Sequence, residues 1–312
     1  MGKILEAVLI IFAIVLLGFS FYFLYLNLPG SPVSLNITQF SQAKELPRVI
    51  ASSEITQFIP NLRFNHNNIS YYFSASCNSE RRARIEQAFS VIKEDTVIIS
   101  FEQFNDLSDA DITISCSEAE VQKSENLFIA GEGGPKEYVN STIYPIILRG
   151  NIYLYKQSSC KEPIVELHEL LHVFGFDHIN NSDYIMYPVV NCDQKLSQGY
   201  VQYLINLYSA EPLADVYFEY ANITKSGRYL NFEVFVSNRG MIDEENATLL
   251  VYSENENIGE FSLGKISFGG GKRFYVQNFR LPSRFMQDIQ FRISTPDSQM
   301  TSEGKTLNAS LG

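Results

Sequence analysis

Basic residues, histidine and cysteine are all in short supply in this sequence. Lys and Arg number 24 against 35 Asp and Glu in 312 residues, a formal charge of -11, which repels phosphate backbones and argues against nucleic acid as a partner. The four cysteines, Cys77, Cys116, Cys160 and Cys192, include no CxxC pair. An even number so spaced points to two disulfides in an oxidising compartment, with three pairings open. Cys77–Cys116 with Cys160–Cys192 is the expected one, and four buried thiols are the bland alternative. Charge is missing altogether from Ala7 to Leu26, AVLIIFAIVLLGFSFYFLYL. That stretch is long enough to cross a hydrocarbon core of about 30 Å as a helix.

The segment is read as an uncleaved N-terminal transmembrane anchor within residues 1–28. A signal peptide has a shorter apolar region of about 7–15 residues and a small-residue cleavage site, and LYLNLPGSP offers neither. Lys3 precedes the span and no Lys or Arg follows it until Lys44, so the positive-inside rule places the N-terminus in the cytoplasm and the remainder outside. Residues 29–60 show no sustained period and are expected to be a stalk or linker.

Order resumes near Ile69. ISYYFS reads as a strand, and Ile85, Ala88, Phe89 and Ile92 mark one face of an amphipathic helix. VIISFEQ, ADITISC, LFIAG and NIYLY are β-rich runs, and a helix is expected from Pro163. Val201, Leu204, Ile205 and Tyr208 then lie at helical spacing and close a domain over residues 61–210. Beyond Pro212 the period becomes that of strands. Leu230, Phe232, Val234 and Val236 alternate mainly with polar residues, as do Ile289, Phe291 and Ile293. Residues 211–312 are therefore expected to form an antiparallel β-sandwich of immunoglobulin-like type. Gly269, Gly270 and Gly271 lack the Lys-Ser/Thr and following helix of a phosphate loop and read as a hairpin turn.

The chemistry is concentrated in HELLHVFGFDH. His168, His172 and His178 are three of the four histidines in the chain. On a helix, positions four apart share a face, so His168 and His172 can bind one cation together. Gly175 can adopt the left-handed conformation that ends the helix and brings His178 round as third ligand. Three neutral imidazoles with a position left for water is a catalytic zinc arrangement, with Glu169 beside it as general base. The alternative of ordinary helix-face histidines requires a coincidence on the order of 10⁻⁸ per position. His66 has no motif around it and reads as a surface or loop residue.

These residues resemble the zinc signature of the metzincin metallopeptidases, and within them are most similar to that of the matrixins. Met186, in YIMYP, matches the family's Met-turn, which supports the zinc ligands from beneath. The resemblance implies an α+β fold: a metzincin-like catalytic domain with a twisted, mostly parallel sheet and an active-site helix. It also implies one catalytic zinc, protein or peptide substrates, and an endopeptidase using a zinc-activated water, which the N-terminal span would anchor to the lipid bilayer. Substrate would lie along an edge strand, for which LFIAG (127–131), with Ile129, Ala130 and Gly131, is the candidate. Tyr187, Pro188 and Val189 would line the wall of the pocket for the side chain after the cut. No cysteine precedes Cys77 to act as a propeptide switch, His66 alone cannot build a second zinc site, and calcium is left open. The competing expectation is a catalytically inactive metzincin-like surface adhesion or binding protein. The intact Glu169 favours the enzyme, since a binding module has no use for a general base.

Overall fold

The computed structural model describes residues 2–38, 55–124, 127–155, 157–302 and 304–310. The chain divides into two compact units, one of residues 1–42, 214–239 and 243–312, the other of 43–213 with 240–242. In chain order, α1 (Gly2–Asn27) and β1 (Pro32–Thr38) belong to the first unit. The second holds β2 (Asn68–Phe73), α2 (Ser79–Thr96), β3 (Ser100–Gln103), β4 (Ile112–Cys116), β5 (Val121–Ser124), β6 (Leu127–Ile129), β7 (Gly131–Val139), β8 (Ile146–Leu154), α3 (Ile164–Val173) and α4 (Gln198–Tyr208). The chain then returns to the first unit as β9 (Val216–Ser226), β10 (Tyr229–Asn238), β11 (Glu244–Ser253), β12 (Glu256–Ile266), β13 (Gly271–Arg280), β14 (Asp288–Ser294) and β15 (Thr306–Ser310).

The second unit is built on a five-stranded sheet of order β3-β2-β4-β8-β7. Its first four strands run parallel and β7 closes the edge antiparallel to β8, so the mostly parallel sheet follows the expectation. The helices that cover it start and stop by local chemistry. Asn78 caps α2 by accepting from the Arg81 backbone, and the stripe Ile85, Ala88, Phe89 and Ile92 is buried. Ser197 caps α4 by accepting from the Gly199 N–H. Helix α3 is buried along almost its whole length, Glu166, His168 and Glu169 included. Buried ionisable groups of this kind are costly unless paired or put to use. Glu166 is paired, with the Arg84 guanidinium at 2.8 Å, which fastens the start of α3 to α2. Two disulfides brace the unit: Cys77–Cys116 links the approach to α2 with the end of β4, and Cys160–Cys192 links the segment before α3 with the loop that follows the site.

In the first unit, two antiparallel four-stranded sheets, β1-β9-β10-β13 and β12-β11-β14-β15, share one core. Leu230, Phe232, Val234 and Val236 face it from one sheet, and Leu249, Val251, Ile289, Phe291 and Ile293 from the other. Their period-two spacing is what makes each strand apolar on one side only. Gly269, φ +66°, sits in the β12–β13 turn, where a left-handed residue is needed. Helix α1 has no buried side chain. With 26 residues it extends about 39 Å, enough to cross a membrane.

The expectation of a stalk over residues 29–60 is corrected at both ends. Residues 32–38 are strand β1, paired with β9 from Pro32↔Ser226 to Thr38↔Tyr220. At the other end Ile55 is buried, and the Gln57 amide donates to the carbonyls of Leu62 and Phe174. Residues 39–54 lie outside the described residues. A seven-residue strand is too short to register as a sustained period, and Gln57 is held by hydrogen bonds that a polarity pattern cannot reveal.

Candidate metal centre

Helix α3 carries His168 and His172 on one face, and its end turns the chain sharply. Gly175 takes φ +84°, and across it the Phe176 N–H donates to the Leu171 carbonyl. This closing bond of a left-handed cap brings His178 back over the helix. A side chain at position 175 would be strained by its dihedral angle and would also meet Leu62 Cδ2 at 2.8 Å.

The three Nε2 atoms form a near-regular triangle, with sides of 3.1 Å (His168–His172), 3.2 Å (His168–His178) and 3.2 Å (His172–His178). Two of the rings have their tautomer fixed from behind. His168 Nδ1–H donates to the Ile185 carbonyl and His172 Nδ1–H to the Phe176 carbonyl, at 2.8 Å. A carbonyl only accepts, so the Nε2 of each ring presents a lone pair to the centre of the triangle. Burial is the main cause that lowers the pKa of all three, that of His168 to about 4, so the rings are neutral at pH 7. Converging neutral lone pairs are what a cation requires. Tetrahedral zinc with Zn–N of about 2.0–2.1 Å calls for donors about 3.3–3.4 Å apart, and the triangle fits it closely.

The turn after His178 lies against the three histidines. Met186 is fully buried, its carbonyl accepts from the Ile179 N–H at 3.0 Å, and the preceding residue supplies the carbonyl that orients His168. Tyr187 is half-buried, while Pro188 and Val189 are exposed. Gln194, buried and absent from the sequence reading, braces this loop: its amide donates to the Ser182 and Val189 carbonyls, and its oxygen accepts from the Asn191 N–H.

Glu169 lies on the side of α3 that faces β7, where two glycines make room for it. A Cβ at Gly131 would lie 2.7 Å from Glu169 Cγ, and one at Gly133 would lie 2.1 Å from the Glu169 carbonyl oxygen. Only glycine allows strand and helix to approach so closely. Burial pushes the Glu169 carboxyl up to about 8, the charge of Glu132 adds to that, and a hydrogen bond from the Gly133 N–H opposes it. A bound dication would favour the ionised form.

The edge strand is not the one expected. Leu127–Ile129 pair with β5 in a separate two-stranded ribbon, and the edge of the main sheet is β7, which takes in Gly131 but neither Ile129 nor Ala130. The glycine-rich GEGGPKEYV lacks the β-branched and aromatic residues that identify a strand. Its glycines, the signal that could have been followed, serve the packing against α3. His66 stays apart from the centre, its Nε2 3.4 Å from Asp111.

A mostly parallel sheet with an antiparallel edge, a helix carrying two of three converging histidines, and a turn with a buried methionine make this domain metzincin-like. The family model described as matrixin matches residues 63–209, and the domain is matrixin-like. Among solved structures, similarity is found to high choriolytic enzyme 1, a hatching enzyme zinc-protease from Oryzias latipes, at 16% identity, covering 47% of this chain and 91% of that one with a TM-score of 0.29. Archaemetzincin from Methanopyrus kandleri matches at 10% identity, covering 47% and 97%, TM-score 0.32. A cell surface protein domain from Methanosarcina acetivorans matches at 8% identity, covering 26% and 74%, TM-score 0.23. No curated protein matches.

Proposed function

We propose that this chain is a membrane-anchored, extracytoplasmic zinc-dependent endopeptidase. The observation that carries the reading is the triangle of inward-facing imidazole nitrogens with a buried carboxyl on the same helix. His168, His172 and His178 hold the ion, and the buried Met186 turn keeps His168 in register through the Ile185 carbonyl. Zinc, when bound, polarises a peptide carbonyl and acidifies water. Glu169 accepts the proton of the attacking water and returns it to the departing amine, a role worth about 10²–10⁴-fold in rate. The Gly133 N–H holds the carboxylate in place, and the tight β7–α3 contact leaves it little freedom to swing away.

Substrate adds to the outer edge of β7 by main-chain hydrogen bonds, in the manner of strand augmentation. Tyr187, Pro188 and Val189 form the wall of the pocket beyond the cut. The strand connections of the first unit, β9-β10-β13 against β12-β11-β14-β15, support an immunoglobulin-like sandwich acting as spacer or adhesion module. Helix α1 is the anchor, with Lys3 on the cytoplasmic side. The test is incubation of the purified full chain in detergent with a proteome-derived peptide library, cleavage being read by mass spectrometry. The reading requires internal cleavages that disappear with a zinc chelator and return with zinc. Intact peptides in the zinc-loaded sample would leave an inactive binding protein in its place.

A further inference from the structure

The last turn of the apolar helix and the residues just after it are gripped by the sandwich rather than hanging free. The Arg284 guanidinium donates to the Tyr25 carbonyl and stacks over the Tyr25 ring, 4.1 Å from its centre. Arg228 and Arg280 both donate to the Asn27 side-chain oxygen, at 3.1 and 3.0 Å. Ser226 Oγ donates to the Gly30 carbonyl at 2.7 Å, and Lys225 Nζ to the Arg284 carbonyl at 2.9 Å. Between them Gly227 stands at φ +61°, where a Cβ would meet the Leu28 carbonyl oxygen at 2.7 Å. Strand β1 continues this fastening from Pro32 along β9.

Four cations therefore converge where the helix ends, in a chain of net charge -11. Their hydrogen-bond acceptors here are neutral oxygens, and among the described residues no carboxylate is within ion-pair distance of any of them. Beside them Phe285 is 66% exposed and Leu28 50% exposed. Uncompensated guanidinium groups with an exposed aromatic ring, at the point where an apolar helix leaves the bilayer, match the layer of phosphate headgroups over acyl chains.

We propose that this end of the sandwich is a lipid-docking face. Arg228, Arg280 and Arg284 bind the anionic headgroups of the leaflet from which α1 emerges, and Phe285 enters the interface beneath them. The proposal rests on the reading of α1 as a membrane anchor. It makes the sandwich a platform seated on the membrane, from which β1 leads to the peptidase segment and β9 receives it back.

The chain contains no tryptophan, so Phe285→Trp gives a single fluorescent reporter in the full chain. The protein is reconstituted in phosphatidylcholine vesicles with and without phosphatidylglycerol, and emission and quenching by brominated lipid are read. A blue shift and quenching that are strong with phosphatidylglycerol, weak without it and lost at high salt are expected, because exposed charges are screened by salt. Replacing the three arginines by Gln should abolish the lipid dependence, and replacing them by Lys should keep it. Should the Gln variant fail to fold, the comparison of lipids in the Phe285→Trp protein decides alone. A solvent-like, unquenched indole at position 285 overturns the proposal, and equal quenching in both lipids overturns the headgroup recognition. A second reporter, Phe12→Trp within α1, separates the two readings. If it is quenched while position 285 is not, only the docking face fails; if neither is quenched, the anchor fails as well.

Discussion

Titration of the metal-free protein with zinc should release protons from Glu169 rather than from the histidines. Burial holds His168 near 4 and lowers His172 and His178 below the ordinary imidazole value, so at pH 7 the three rings are predominantly neutral. The Glu169 carboxyl is pushed up to about 8. At pH 7 it is then about 0.9 protonated, and at pH 9 about 0.1. A dication at the neighbouring imidazoles drives that proton off. Glu169→Gln has no proton to release at this position, so wild type should release about 0.9 more protons per zinc than the variant at pH 7, and about 0.1 more at pH 9. The sign follows from linkage. The metal displaces a proton only while pH lies below the raised pKa, so wild-type affinity should gain on the variant by up to about tenfold per pH unit below 8 and level off above it. Calorimetry in buffers of different ionisation enthalpy measures the proton count directly. Equal release by both proteins at pH 7 would mean that Glu169 is already ionised without metal, and the argument from its burial would be wrong.

Glu169→Ala should retain close to one zinc per chain by elemental analysis yet lose about 10²–10⁴-fold in peptide hydrolysis, whereas His172→Ala should lose metal and activity together. Gly133→Ala, whose Cβ would lie 2.1 Å from the Glu169 carbonyl oxygen, should lower the thermal midpoint and activity, while Gly134→Ala, with nothing within 4 Å, should leave the thermal midpoint unchanged. Breaking Cys160–Cys192, which closes a 32-residue separation, by a double Ser substitution should cost about 3–4 kcal/mol in urea unfolding; a loss below about 1 kcal/mol would show that the chain is held there by other contacts. Protease added outside intact cells should digest the sandwich and spare the N-terminus, and recovery of the mature protein free of the membrane would refute the anchor.

The sequence by itself determined the local and periodic features. HELLHVFGFDH names its own candidate ligands because helical spacing and a helix-ending glycine are properties of a dozen neighbouring residues. Twenty uncharged residues and the alternation of Leu230 to Val236 are legible for the same reason: one period, one face. What the tertiary structure alone decided depends on partners far apart in the chain. Strand β1 is a strand because β9, nearly two hundred residues later, offers it an edge. Strand β7, rather than LFIAG, borders the candidate site because its glycines permit contact with α3, a requirement set by the helix and not by strand propensity. Gln194, and the carbonyls of Ile185 and Phe176 that fix two imidazole tautomers, carry no sequence signature: hydrogen bonds to the backbone depend on where the chain passes and not on which residue passes there.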